Sequence, residues 1–528
     1  MDTVSFNLNG KPVKCTSQPV ERLSAVLRDE LNVKGVKTGC DAGDCGACSV
    51  LVDGQPVCSC LTPLGQVENC KVTTVEGLAE NQTLSNLQES FLQFGAAQCG
   101  ICTPAMLVSA QSLLDKTPQP TRAQVEDALG GVLCRCTGYQ KIIDAVLHAS
   151  SFTDKSVTPP ANSAVGSAIR HLDGRPKVTG QLAYGADSFP PDAVLVRVIR
   201  SPHHHADFTI GDLSAFKKVH PGIHEVFTAA DIPGKNCFGV IPPFADQPVF
   251  AENTARFRGE AIAAIAGERE VIRAFDESDF PVLWQVKPHV LLPDAARQTD
   301  APQLHEGRKG NILVHGLVQR GDADTALNNA AHKVTVKSST PFVEHAYIEP
   351  EAGYAERAGD RIEIHASTQA AQMDRESLAE IMGLKLDDVR VAPTACGGGF
   401  GSKLDISMQP YIALAAWKLK RPAAICYTRK QSMQSTTKRH PSQIELTIGC
   451  DQNGKINGFA FDGIFNTGAY ASWGPTVANR VPVHASGPYY IKDYRAKSVA
   501  VHTNTPPSGA FRGFGVPQSA IPQECAFD

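Results

Sequence analysis

Eleven of the sixteen cysteines in this 528-residue chain fall between Cys15 and Cys136, and that crowding limits what the first quarter can be. A disulfide framework suits a small secreted domain that cannot bury a core. This chain is long enough for several ordinary domains. Its N-terminus, Met1-Asp2-Thr3-Val4, shows no basic segment followed by an apolar run. Dense thiols in such a chain point to metal. Cys237, Cys396, Cys426, Cys450 and Cys525 are scattered and read as small buried hydrophobes.

Cys40, Cys45 and Cys48 stand at C-x4-C-x2-C, the plant-type spacing for a [2Fe–2S] cluster. Two irons need four thiolates from one compact loop, and Gly39, Gly43 and Gly46 give the backbone freedom to aim N–H groups at sulfur. Four thiolates also suit zinc, but zinc ribbons prefer paired short spacings. The fourth ligand is Cys58 or Cys60; both point to one face of the same strand, so geometry leaves that choice open. Cys99-Gly-Ile-Cys102 and Cys134-Arg-Cys136 form a second set. Each pair reads as lying at a helix N-terminus, where the dipole favours thiolate. On spacing alone this set serves zinc as well as iron.

The surrounding pattern gives the organisation. Val4, Phe6 and Leu8 alternate, Asn9-Gly10 turns the chain, and Val13 and Cys15 resume, which predicts a hairpin over 3–15. A helix follows over 21–31, then a second hairpin around Asp53-Gly54. Residues 1–76 thus read as a small α+β domain. Residues 77–150 read as all-α, with Thr103-Pro104 and Thr137 opening helices and Thr121 forming a capping box with Gln124. Residues 151–169, rich in Ser, Pro and Ala, read as a linker, and mixed α and β follows from 170. Net charge is −4 with no block of like charge, so neither nucleic acid nor a membrane surface is an expected partner. No apolar run approaches a membrane span, and the expected location is cytoplasmic.

The segments Gln98-Cys-Gly-Ile-Cys-Thr-Pro104, Leu133-Cys-Arg-Cys-Thr-Gly-Tyr139 and Gly39-Cys-Asp-Ala-Gly-Asp-Cys-Gly-Ala-Cys-Ser49 resemble the xanthine oxidase family of molybdenum hydroxylases. That family includes xanthine dehydrogenases and aldehyde oxidoreductases. Asp173-Gly174, Lys177-Val-Thr-Gly180, Tyr184-Gly-Ala-Asp187 and Ser201-Pro-His-His-His-Ala206 resemble the start of its molybdenum part. The histidines, which alone read as an exposed loop or a weak metal site, take a structural role in that light. The resemblance implies a multidomain α+β chain. A β-grasp plant-type ferredoxin domain and an all-α four-helix [2Fe–2S] domain come first. A mixed α/β hammerhead domain over 170–305 and the first, incomplete portion of a molybdopterin-binding domain over 306–528 follow.

The resemblance also assigns residues. It chooses Cys60, so one cluster takes Cys40, Cys45, Cys48 and Cys60, and the other Cys99, Cys102, Cys134 and Cys136, with Cys136 also touching the pterin. Gly397-Gly398-Gly399-Phe400-Gly401, by itself a flexible loop, and Ala510-Phe511-Arg512-Gly513-Phe514-Gly515 become molybdopterin-binding loops. Gln369 matches a glutamine that bonds a molybdenum oxygen. Phe514 matches an aromatic against the substrate ring, and Arg480 falls where purine-oxidising members carry a substrate arginine. Leu404 departs from the pattern: purine hydroxylases have glutamate there, and an apolar group cannot protonate a purine. Glu344, Glu349 and Glu351 do not match the family's general base, which lies beyond Asp528, and read as structural.

The implied activity is oxidation of an aldehyde or an N-heterocycle, purines included, with water as oxygen source and electrons leaving through both clusters. The implied cofactors are two [2Fe–2S] clusters and molybdenum–molybdopterin, plain or as a cytosine dinucleotide. The implied partners are a small-molecule substrate, a chain completing the molybdenum domain, a flavoprotein or other electron acceptor, and a second copy in a homodimer. The linker is too short for an inserted FAD domain. The alternative is a non-enzymatic [2Fe–2S] electron-transfer subunit, or a truncated fragment that needs a partner chain for catalysis.

Overall fold

The computed structural model describes residues 3–79, 83–153, 161–167 and 169–528. Residues 154–160 and residue 168 of the expected linker lie outside these described residues.

The first unit is a five-stranded sheet of β1 (Val4–Leu8), β2 (Lys11–Cys15), β3 (Ser49–Val52), β4 (Gln55–Cys58) and β5 (Lys71–Thr73), in the order β2-β1-β5-β3-β4. The central β1–β5 pair is parallel and the rest antiparallel. Both hairpins turn on two residues with positive φ, Asn9-Gly10 and Asp53-Gly54, as the right-handed strand twist demands. Val4, Phe6 and Leu8 face inward onto Leu23, Val26 and Leu27 of the helical segment 23–30, whose second half widens into a π-turn.

Four helices follow: Asn86–Phe94, Thr103–Lys116, Arg122–Leu129 and Gln140–His148. Ser85 with Gln88, and Thr121 with Gln124, form capping boxes. Two expected caps fall elsewhere. Cys102 occupies the N-cap before Thr103, and Tyr139, with φ 65°, takes that place before Gln140. Thr137 spends its hydroxyl on the Tyr139 amide and the Cys134 thiol, so it cannot cap the helix. The helical core includes Leu51 and Val75 from the first unit and Val178 from the third, so the units share apolar surface.

Beyond 170 the chain adds β6 (Val194–Arg200), β7 (Ala206–Ile210), β8 (Ile223–Phe227), β9 (Thr254–Ala255), β10 (Ala261–Gly267) and β11 (Val282–Val286). Then come β12 (Ile312–Arg320), β13 (His332–Thr340), β14 (Ala352–Ala358), β15 (Arg361–Ala366), β16 (Val389–Pro393), β17 (Ala423–Cys426), β18 (Ser442–Cys450), β19 (Ile456–Gly468) and β20 (Asp493–His502). One seven-stranded sheet runs β16-β15-β14-β17-β6-β10-β8 and carries strands from both sides of the boundary expected at 305/306. The joint is the parallel pair β17–β6, Ala423 opposite Val194. The helix Gln409–Leu419 is buried from Gln409 through Ala416, apolar almost all round, and fills this sheet's core. A five-stranded sheet β12-β20-β19-β18-β13 and a three-stranded sheet β11-β7-β9 complete the architecture.

Candidate cofactor-binding site

The first cysteine loop bends through Asp41, Gly43 and Gly46, all with positive φ. Those bends turn amides inward: the Cys40 sulfur accepts from Ala42, Asp44 and Cys45 N–H, each at 3.3 Å. Burial works against a thiolate at Cys40, yet these amides outweigh it and bring its pKa below the ordinary thiol value. Gly39 is required for another reason. A Cβ there would come within 2.8 Å of Ile348 and 3.0 Å of the Cys45 sulfur.

The expectation that Cys58 and Cys60 share one strand face does not hold. Strand β4 ends at Cys58, and Cys60 lies in the turn beyond it. Cys60 is buried against Cys48, whereas Cys58 is half-buried. Burial pushes the Cys45 thiol up to about 11 and the Cys60 thiol up to about 12. Cys45, Cys48 and Cys60 are buried where water stabilises a thiolate poorly, and Cys40 is held by amides, a set that suits a bound cationic core that displaces its protons.

In the second set the Cys136 and Cys99 sulfurs lie 3.3 Å apart and Cys134 sulfur lies 3.1 Å from the Thr137 hydroxyl. Hydrogen bonds from Cys102 and Cys136 lower Cys134 and Cys99, respectively, and the Cys134 sulfur in turn raises Cys102 and Cys136. Such a set fits a polynuclear metal core as the first does. Cys102 caps its helix, but Cys136 precedes the N-cap Tyr139 by three residues, so only one pair sits at a helix start. The Tyr139 hydroxyl accepts from the Cys134 amide, and the Tyr184 hydroxyl donates to the Cys99 carbonyl at 2.7 Å. One backbone hydrogen bond, Leu133 N–H to the Cys45 carbonyl at 2.9 Å, joins the two cysteine sets.

The two glycine-rich loops meet backbone to backbone. Arg512 N–H donates to the Phe400 carbonyl at 2.8 Å. A Cβ on Gly401, whose φ is 114°, would come within 2.5 Å of the Ala510 carbonyl oxygen. Gly398, Gly513 and Gly515 also have positive φ, as do Phe400 and Phe514. Gly399 lies against the Gln369 side chain. Gln369 is exposed; its side-chain oxygen accepts from Gly401 N–H at 3.0 Å, which leaves its NH2 end as the spare donor. Phe514 packs edge-on to Trp473 at 5.5 Å, and the exposed Arg480 guanidinium lies 5.8 Å from the Phe514 ring. Leu404 lines a cavity of about 140 Å³ with Phe238, Met373 and Ile406.

A residue without a local signature holds this junction. The buried Glu349 carboxylate accepts from Gly397 N–H at 2.6 Å, Ser367 hydroxyl at 2.6 Å, Gly185 N–H at 2.9 Å and Lys403 ammonium at 3.0 Å. Lys403 also reaches the Glu349 carbonyl and the Ser367 hydroxyl. Gly397 in turn lies where a Cβ would approach Ile101, between Cys99 and Cys102. Arg429 donates to the Gly39 and Ile348 carbonyls, so the first cysteine loop is tied to the same place. Glu351 pairs with the Tyr347 hydroxyl and Glu344 with Lys438. Glycine backbones that pack this tightly fit a phosphate-bearing pterin whose anionic groups need N–H donors.

Two other clusters are filled by protein. Asp246, His305 and His502 converge, but the Arg308 guanidinium pairs with Asp246 and lies 2.8 Å from His502. The stretch 201–205 is a loop: His204 stacks on His289, and His205 bonds the Pro288 carbonyl at 2.6 Å.

Family models agree with this architecture. A 2Fe-2S iron-sulfur cluster binding domain matches residues 6–79, and a [2Fe-2S] binding domain matches 74–147. An aldehyde oxidase and xanthine dehydrogenase a/b hammerhead domain matches 179–274, and a molybdopterin cofactor-binding domain 304–528. The chain is 33% identical to the nicotinate dehydrogenase large molybdopterin subunit of Eubacterium barkeri, over 67% of this chain and 82% of that one. It is 31% identical to the aldehyde oxidoreductase of Megalodesulfovibrio gigas, over 96% of this chain and 58% of that protein. The crystal structure of the aldehyde oxidoreductase from Desulfovibrio desulfuricans superimposes with a TM-score of 0.94 at 30% identity, covering 100% of this chain and 61% of that one. The chain belongs to the xanthine oxidase family of molybdenum hydroxylases, with two [2Fe-2S] binding domains fused to a molybdopterin-binding domain. It spans about three fifths of the length of the aldehyde oxidoreductases it matches.

Proposed function

We propose that this chain is the iron–sulfur and molybdopterin-binding part of a hydroxylase that oxidises an aldehyde or an N-heterocycle with oxygen from water. The observation that carries this reading is the junction itself. Two interlocked glycine-rich loops meet the second cysteine set at Gly397 and Ile101, one hydrogen bond from the first set. A bound molybdenum–pterin would supply the oxygen-transfer and two-electron chemistry. In this reading the loops 398–401 and 510–513 cradle the pterin, with Cys136 beside it, through amides other than those of Gly401 and Arg512, which bond Gln369 and the Phe400 carbonyl. Gln369 offers its NH2 group to an oxygen at the metal. Phe514, braced by Trp473, presents a ring to the substrate, and Arg480 orients a polar substrate group. Cys40, Cys45, Cys48 and Cys60, and Cys99, Cys102, Cys134 and Cys136, hold the two clusters that take electrons singly to a flavoprotein or other acceptor. Leu404, which offers no group to hydrogen-bond or protonate a purine ring, favours an aldehyde or a non-purine heterocycle over a purine.

A polypeptide completing the molybdenum domain, pairing of two copies, and a pterin extended as a cytosine dinucleotide belong to the same proposal. So does a cytoplasmic location. None of the sixteen cysteines is paired in a disulfide, as a reducing compartment favours, and among the described residues no helix is long and apolar enough to cross a membrane.

The test is turnover of the native assembly with a panel of aldehydes and N-heterocycles in 18O-labelled water, followed by dye reduction. Label in the hydroxylated product, with electrons appearing in the dye, supports the reading. Dye reduction by an external donor without product from any substrate would favour a simple electron carrier.

A further inference from the structure

Arg135 lies in sequence between Cys134 and Cys136, yet its side chain reaches the opposite half of the molecule. Its Nε donates to the His345 carbonyl at 2.9 Å and its Nη2 to the Glu344 carbonyl at 3.4 Å, across 210 and 209 residues. A guanidinium presents two parallel N–H groups, so it can hold two successive carbonyls where an ammonium holds one point. The segment it grips is not free to relax. Ala346 has φ 53°, a conformation that costs a non-glycine residue energy and persists only when its surroundings hold it.

His345 carries the contact onward. Its ring is fully buried, its Nε2 lies 2.8 Å from the Ala510 carbonyl oxygen, and it stacks on Phe511 with centroids 4.1 Å apart and planes 24° apart. Burial keeps the imidazole neutral, down to about 3, so it has one N–H, and the Ala510 carbonyl takes it. The far side of this loop is held too: Arg439 lies 3.9 Å from the Phe511 centroid and donates to the Arg512 carbonyl at 2.8 Å. The chain of contacts therefore runs from the second cysteine set, through Arg135 and the His345 backbone, into the His345 ring and the second glycine-rich loop.

We propose that Arg135 and His345 act as one clamp that fixes the second glycine-rich loop against the cysteine set 99–136, so that each side sets the geometry of the other. This rests on the reading of that cysteine set as a [2Fe–2S] cluster. Both are positioning residues: neither needs to touch substrate. Because coupling between two sites is reciprocal, a change at His345 must be felt at the cluster although the His345 side chain does not contact it.

The test uses the native holoprotein and reads each reduced cluster by its EPR signal and midpoint potential in R135K, H345F, H345A and R135K/H345F. R135K keeps the charge and loses the fork; H345F keeps the stack on Phe511 and loses the hydrogen bond. Each single variant is expected to shift the signal and potential of the second cluster and to leave the first cluster unchanged. The double variant is expected to shift it no further than the larger single change, as residues in one unit do. Molybdenum retained after gel filtration should fall about fivefold in R135K, the size of one ordinary net hydrogen bond. H345A covers the case in which the bulkier ring repacks. A second cluster unmoved by H345F and H345A, or strictly additive shifts, would overturn the clamp. Absence of a second iron–sulfur signal in the parent would instead overturn the cluster reading beneath it.

Discussion

The first cysteine set draws all its thiols from the single stretch Cys40–Cys60, whereas the glycine-rich junction gathers Glu349, Ser367, Gln369, the loop 397–403 and the loop 510–515 from separate elements. The cysteine loop is shaped by its own backbone, through amides turned onto the Cys40 sulfur. The junction is shaped by one buried carboxylate with four donors. A local site therefore fails locally when a residue is changed, and a gathered site fails through whichever residue pins the pieces together.

The sharpest way to break the comparison is to remove one thiol. C102A should cost the chain about two irons while the first cluster's signal persists, because it removes one of the second cluster's four protein ligands and offers no donor in its place. Iron analysis with EPR checks this; loss of both clusters would show that the sets are not independent. On the other side, E349Q leaves the Lys403 ammonium buried without its charge partner. It should destabilise the molybdenum half by about 3 kcal/mol while the iron content holds. Calorimetry reads the first effect and elemental analysis the second. G401A should act in the same direction by a backbone route, at about 2 kcal/mol, since its φ of 114° and the Ala510 carbonyl leave no room for a methyl group.

These contrasts match what could be read beforehand. The two turn pairs and the Thr121 capping box are local patterns, and the structure reproduces them; the spacing at Cys40, Cys45 and Cys48 is local too, and its loop turns three amides onto the Cys40 sulfur. Glu349 carried no such pattern. In sequence it is one of three nearby glutamates, and only the fold brings Gly185, Ser367, Gly397 and Lys403 to it. Arg135 and Arg429 were hidden for the same reason, because their partners are hundreds of residues away. The sheet joining β17 to β6 was equally invisible, since strand pairing across such a distance leaves no periodic trace.

Smaller effects sharpen the picture. Burial pushes the Asp405 carboxyl up to about 7 from 3.8, with the Ser472 hydroxyl donating to it at 2.6 Å. The folded chain then keeps a proton that the unfolded chain has already released, so stability falls as pH rises from about 4 to 7. D405N should flatten that fall by about 2 kcal/mol between pH 5 and 7, read as the difference in unfolding free energy at the two pH values. Last, R480A removes a cation–π contact at an exposed position and should cost only about 0.5 kcal/mol of stability. If Arg480 orients substrate, its KM rises while kcat holds; an unchanged KM would return it to the protein surface.

The central claim is that two cysteine sets and two interlocked glycine loops serve one electron path. Iron, molybdenum and zinc per chain, by elemental mass spectrometry on protein from its native host, test it most directly. The account predicts about four irons, about one molybdenum and no stoichiometric zinc. Zinc in place of iron, or four irons with no molybdenum, would contradict it.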